Sequence, residues 1–178
     1  MWSRIGSTSS VTIAAVIVLG CRPGAGGPSN PKAVGPVELV AQGTGPGGEY
    51  RVWAFHTSDG WACIEVDSPN AEGGGCDPRG GVPLGGGVAR NAQGVIVDGV
   101  TAEASAVTAV VRDANGGATA VPLIEVGAAL RGAKVVVANL GLAANPVAVD
   151  FFDASGAVVD TVALAGVPSD GGGDATKP

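Results

Sequence analysis

The stretch from Tyr50 to Val66, YRVWAFHTSDGWACIEV, decides the fold class. Its first eight residues are aromatic or β-branched with little interruption, which suits a pleated, half-buried surface. Ser58-Asp59-Gly60 punctuates it, and Trp61 to Val66 resumes the same character. Asp-Gly between two such runs is a strong short-range hairpin signal. Read as a two-residue loop, Asp59-Gly60 sets Phe55 opposite Ile64 and Trp53 opposite Val66. Those four residues then share a core face. Tyr50, Val52, His56, Cys63, Glu65 and Asp67 take the other. A slip of one residue would mix the two sets.

Two more hairpins echo each other. One runs through Asp113-Ala114-Asn115-Gly116 and the other through Asp153-Ala154-Ser155-Gly156, 40 residues later. Asp at the first position and Gly at the fourth fit a type I turn followed by a glycine bulge. Val147, Val149 and Phe151 alternate with Ala148 and Asp150. Residues 133–140 (AKVVVANL), 95–97 and 37–41 add strands. The chain holds 27 Val against 8 Leu and 6 Ile, a bias toward residues that are stiff at χ1 and favour strands. No segment after the first twenty residues shows a helical period. The expectation is an all-β fold, an antiparallel immunoglobulin-like β-sandwich of about seven to nine strands. Two echoing hairpins are too few for a solenoid.

The N-terminus reads as an address. Residues 11–19 (VTIAAVIVL) are apolar except for Thr12. That length fits the hydrophobic region of a signal peptide and falls short of a span across ~30 Å of hydrocarbon. Val18-Leu19-Gly20-Cys21 follows, and it resembles the lipobox of bacterial lipoproteins. The resemblance implies cleavage before Cys21, lipid on the Cys21 thiol, and attachment to the membrane outside the cytoplasm. Lipid chains on one residue meet the two-chain requirement for stable anchoring. Residues 21–35 (CRPGAGGPSNPKAVG) then read as the lipidated cysteine and a Pro/Gly-rich tether. Residues 36–166 form the sandwich domain, and residues 167–178 (VPSDGGGDATKP) a frayed tail. The layout of a tether and an Ala/Gly/Val/Asp-rich β domain resembles small exported actinobacterial proteins. That likeness brings no catalytic residues with it.

Charge and motifs narrow the function classes. The net charge is −6, and ten basic residues are scattered without a run. Nucleic-acid binding needs clustered phosphate contacts, so no nucleic-acid partner is expected. His56 is the sole histidine, so a Ser-His-Asp triad would have to use it. Ser58 and Asp59 beside it are turn residues, and no GxSxG elbow occurs. His56 therefore reads as a solvated strand residue. Zinc would want about four His or Cys ligands. No D-x-[DN]-x-[DN]-G calcium loop is present. Asp150, Asp153 and Asp160 could gather near one turn, but they read as solvated turn carboxylates. Gly73-Gly74-Gly75 and Gly85-Gly86-Gly87 lack the P-loop lysine and read as flexible connections. Residues 68–88 then form one long loop, a place where binding is often found. No catalytic residue, metal or cofactor is expected, and the chain does not read as an enzyme.

Three cysteines, less one spent on lipid, leave Cys63 and Cys76 in an oxidising compartment, and a disulfide between them is expected. It would pin the glycine-rich loop to the sheet. Four of the six aromatic residues after Cys21 lie within residues 50–61. With Trp53 and Phe55 buried, Tyr50 and Trp61 are the candidate binding surface, since exposed Trp and Tyr are enriched at hot spots. The functional expectation is a lipid-anchored, non-enzymatic binding or structural module of the envelope. Its partners would be the membrane, through Cys21, and a protein or glycan. The alternatives are a carboxylate-based envelope hydrolase and an accessory subunit of a larger envelope complex.

Overall fold

The computed structural model describes residues 27–28, 32–68 and 71–164. The stretch read as a signal segment, Cys21 and the stretch read as a C-terminal tail lie outside the described residues. Twelve strands and no helix occur within them. They are β1 (Ala33–Gly45), β2 (Gly48–Thr57), β3 (Ala62–Ser68), β4 (Ala71–Asp77), β5 (Gly85–Arg90) and β6 (Gly94–Thr101). Then come β7 (Thr108–Asp113), β8 (Ala118–Val121), β9 (Ile124–Glu125), β10 (Lys134–Gly141), β11 (Pro146–Phe152) and β12 (Val158–Ala163). The all-β, antiparallel, sandwich-like expectation holds, with more strands than the sequence announced. β1 starts at Ala33, so the last three residues read as tether are in strand.

The strands form three antiparallel sheets of four, ordered β1-β2-β3-β4, β5-β6-β10-β9 and β12-β11-β7-β8. The second sheet is the middle layer. Alternate residues of β6 serve opposite cores: Ile96 and Val100 pack with Val52, Ile64 and Val66 of the first sheet. Val95 and Val97 pack with Val111, Val149 and Phe151 of the third. β10 divides the same way, Val135 and Val137 to one side, Val136 and Ala138 to the other. All eight residues of β6 are buried. A strand covered on both faces reads as a continuous apolar run rather than an alternating one. GVIVDGVT and KVVVANLG are such runs.

The first hairpin corrects the expected register. Val52 pairs with Val66, Ala54 with Ile64, Phe55 with Cys63 and Trp53 with Glu65. The Thr57 N–H donates to the Trp61 carbonyl at 2.8 Å and the Gly60 N–H to the Thr57 carbonyl at 2.9 Å. The loop thus has three residues, Ser58, Asp59 and Gly60, with Gly60 at φ 85°. The added residue shifts every pair by one and exchanges the faces of β2, while Ile64 and Val66 of β3 keep the core face. Val52, Ala54, Ile64 and Val66 face the middle sheet. Trp53 (6% exposed) and Phe55 (0%) cluster with Cys63 on the other face. The same loop closes the two echoing hairpins. Asp113 N–H donates to the Gly117 carbonyl at 2.8 Å and Asp153 N–H to that of Ala157 at 2.9 Å. Gly116 and Gly156 sit at φ 83° and 84°.

The glycine triplets are a second correction. Both lie in strands, Gly73 to Gly75 in β4 and Gly85 to Gly87 in β5. The long loop expected over residues 68–88 is therefore mostly sheet. Close approach of neighbouring strands explains Gly74, Gly86 and Gly87. A methyl group on Gly74, at φ 113°, would lie 2.1 Å from the Ile64 carbonyl oxygen. One on Gly86 would lie 2.6 Å from the Asp98 carbonyl oxygen and 2.9 Å from Val162.

Candidate functional site

A groove of about 520 Å³ opens where β1, β2 and β3 approach the β1–β2 turn. Gln42, Thr44, Glu49, Tyr50, Arg51 and Asp67 line it, with Gly43 and Ser68. Strand pairing builds it. Gln42 lies opposite Arg51, and Arg51 opposite Asp67, a row of amide, guanidinium and carboxylate across three strands. Thr44 and Glu49 form the next pair on the same side. Tyr50 lies opposite Gly43, where a methyl group would come within 2.9 Å of the Tyr50 hydroxyl. The glycine thus leaves room for the ring to rest against β1 on the face turned to the core, opposite the polar row. Burial pushes the Tyr50 hydroxyl above its ordinary value of 10.0, so it keeps its proton as a donor at neutral pH.

Two asparagines hold the turn that ends the groove. Asn139 of β10 accepts from the Gly47 N–H and donates to the Gly48 carbonyl at 2.8 Å. Asn91 donates to the Gly47 carbonyl at 2.9 Å. A methyl group on Gly45 would strike the Asn139 amide at 2.7 Å. The far end of the first sheet is tied as well. Glu38 accepts from the Gly127 and Ala129 amides at 2.9 and 3.3 Å.

The sequence-derived site residues fall apart in space. Tyr50 borders the groove, with its ring on the core-facing side of β2. Trp61, 44% exposed, is at the opposite end of the β2–β3 hairpin, seven strand residues away, or roughly 23 Å. The two do not form one surface. His56 is half-buried, not a freely solvated residue, and its Nε2–H donates to the Ala129 carbonyl at 3.0 Å. Cys63 and Cys76 form a disulfide, with Cα atoms 4.1 Å apart. It staples β3 to β4 where a loop was expected.

The three aspartates expected near one turn serve separate structural ties. Asp150 pairs with Arg112 at 2.5 Å and accepts from the Thr161 hydroxyl at 2.8 Å. Asp160 accepts from the Thr101 hydroxyl at 2.6 Å. Asp153 caps its own turn, and the Ser155 hydroxyl and Ala157 amide hold its carboxyl below the ordinary value. Among the described residues, no three His, Cys, Asp or Glu side chains gather as metal ligands.

Sequence reading missed two features. The polar groove had a partial signal in the glycines of QGTGPGGEY, but its members come from three strands. Asp98 was legible as the one charge in an apolar run. Its side chain is buried between the first and second sheets, and burial pushes its carboxyl up to about 6. Glycines make room for it: a methyl group on Gly87 would lie 2.8 Å from Oδ1, and one on Gly73 3.4 Å. The amides of Gly87 and of Asp98 itself bond to it and partly offset the burial. Asp98 does not line the groove. Comparison with protein-family models, curated proteins and solved structures finds no match to the chain.

Proposed function

We propose that this protein is a lipid-anchored, extracytoplasmic binding module whose groove between β1, β2 and β3 takes the partner. The observation that carries this reading is the groove. It is concave, lined by polar side chains that share one face of three neighbouring strands, and ends at a turn clamped by Asn91 and Asn139. Recognition sites have this make-up, a few placed polar groups on a rigid support. The Cys63–Cys76 disulfide favours an oxidising compartment, in keeping with the lipobox-like Val18 to Cys21. Binding is preferred over carboxylate hydrolysis because Asp150, Asp153 and Asp160 are each occupied in structural contacts.

Two measurements test it. Metabolic labelling with a fatty-acid analogue should mark the protein, and Cys21→Ala should abolish both the label and membrane retention. Persistent labelling of that variant removes the anchor. A photoreactive residue at Thr44 should crosslink in membranes to a partner, and Arg51→Glu should abolish that product. Crosslinking indifferent to Arg51→Glu removes the groove as the site.

A further inference from the structure

We propose that the groove recognises an uncharged saccharide, an inference that rests on the binding reading above. The lining chemistry selects the class. Gln42, Arg51 and Asp67 stand in one row on neighbouring strands, about 4.8 Å apart. The row therefore alternates groups that donate with groups that accept on the scale of one sugar ring. Adjacent hydroxyls of a sugar ring are each donor and acceptor. They can accept from the Arg51 guanidinium and donate to the Asp67 carboxylate or the Gln42 carbonyl. Thr44 and Glu49 extend the pattern to a second row. Tyr50 takes no part in this pattern, because its ring lies on the other, core-facing side of β2 with Val52.

Other ligand classes fit less well. An anion such as a phosphate or sulfate would meet the carboxylates of Glu49 and Asp67 beside the one guanidinium. A divalent cation would meet Arg51. A hydrophobic peptide anchor would find no apolar pocket. Among the described residues, the exposed large apolar side chains are Val34, Val37, Leu39, Trp61, Leu84, Val107, Leu142, Val147 and Val158, and none of them lines the groove. The clamped turn also means that few groups have to be ordered on binding.

The test uses the full-length protein in detergent micelles. The probes are immobilised glucan, mannan, galactan and chitin oligosaccharides, with a sulfated glycan and an acidic and a basic peptide alongside. At least one neutral oligosaccharide should bind. Gln42→Ala and Asp67→Asn should each weaken it by about tenfold or more without moving the melting temperature. Raising salt from about 50 to about 500 mM should leave the affinity within a factor of about two, because no net ion pairing is involved. Binding of charged probes only, or neutral binding untouched by both variants, overturns the saccharide assignment. If no neutral probe binds but Thr44 still crosslinks a membrane protein in an Arg51-dependent way, the saccharide assignment falls and the binding module stands. If neither occurs, both fall.

Discussion

Replacing Asp98 by asparagine is expected to remove a pH-dependent loss of stability built into the centre of the molecule. Asp98 is 4% exposed, and burial raises its carboxyl from 3.8 to about 6. Unfolding returns it to water and to the lower value. Between these two values the folded chain holds a proton that the unfolded chain releases. The folded state then binds more protons, so stability falls as pH rises through the window. The contribution is fully present below about 3.8 and gone above about 6. At about 1.36 kcal/mol per pH unit, the gap is worth about 3 kcal/mol. That is a sizeable part of a typical net stability of about 5–15 kcal/mol.

Asparagine keeps the shape and an oxygen for the Gly87 amide but carries no charge. An unpaired side-chain N–H would cost about 1–3 kcal/mol, and it would do so equally at every pH. The assay is urea unfolding at a series of pH values, followed by tryptophan fluorescence. The stability of the wild type minus that of Asp98→Asn should fall by about 3 kcal/mol between about pH 4 and about pH 7. Asp113 and Asp153 have lowered values and lose stability in the opposite sense as pH falls. They are common to both proteins and cancel in the difference. A difference that stays flat across the window would refute the burial of this carboxylate.

Three further outcomes follow from the same geometry. Converting both Cys63 and Cys76 to Ala should cost about 3 kcal/mol, the loop-closure entropy for a separation of 13 residues; reducing the wild type should lower its denaturation midpoint by a matching amount, and an unchanged midpoint would count against the staple. Within one triplet, Gly74→Ala should destabilise by at least about 2 kcal/mol, because its φ is 113° and the new methyl meets the Ile64 carbonyl. Gly75→Ala, with open space around it, should stay within about 0.5 kcal/mol of the wild type, and equal effects at the two positions would contradict the strand assignment of β4. Arg112→Ala should cost about 1–2 kcal/mol by equilibrium unfolding, since it strips the ion pair from the largely buried Asp150 while Thr161 still donates to it; no loss would place that pair among surface contacts of no consequence.

Sequence alone determined the class of structure and its punctuation, because both rest on local chemistry. Valine-rich runs and the left-handed glycines Gly60, Gly116 and Gly156 mark strands and turns without help from distant residues. Thr57-Ser58-Asp59-Gly60 has the same loop as Asp113 to Gly116 and Asp153 to Gly156. Its first residue is Thr rather than Asp, which hid the kinship and led to a register wrong by one. Cysteine arithmetic reached the Cys63–Cys76 bond for the same local reason.

Tertiary structure decided the rest. Whether a continuous apolar run such as residues 94–101 is a strand covered on both faces depends on which sheets stack against it. The glycine triplets lie in strands because β4 and β5 pair with β3 and β6, and at Gly74, Gly86 and Gly87 the neighbouring strands leave no room for a Cβ atom, a fact about neighbours rather than about glycine. Asp98 became a buried acid only when those same glycines closed over it. The groove exists because Asn91 and Asn139, more than forty residues from the turn they hold, fix the end of a hairpin. No local pattern records a contact made at that separation.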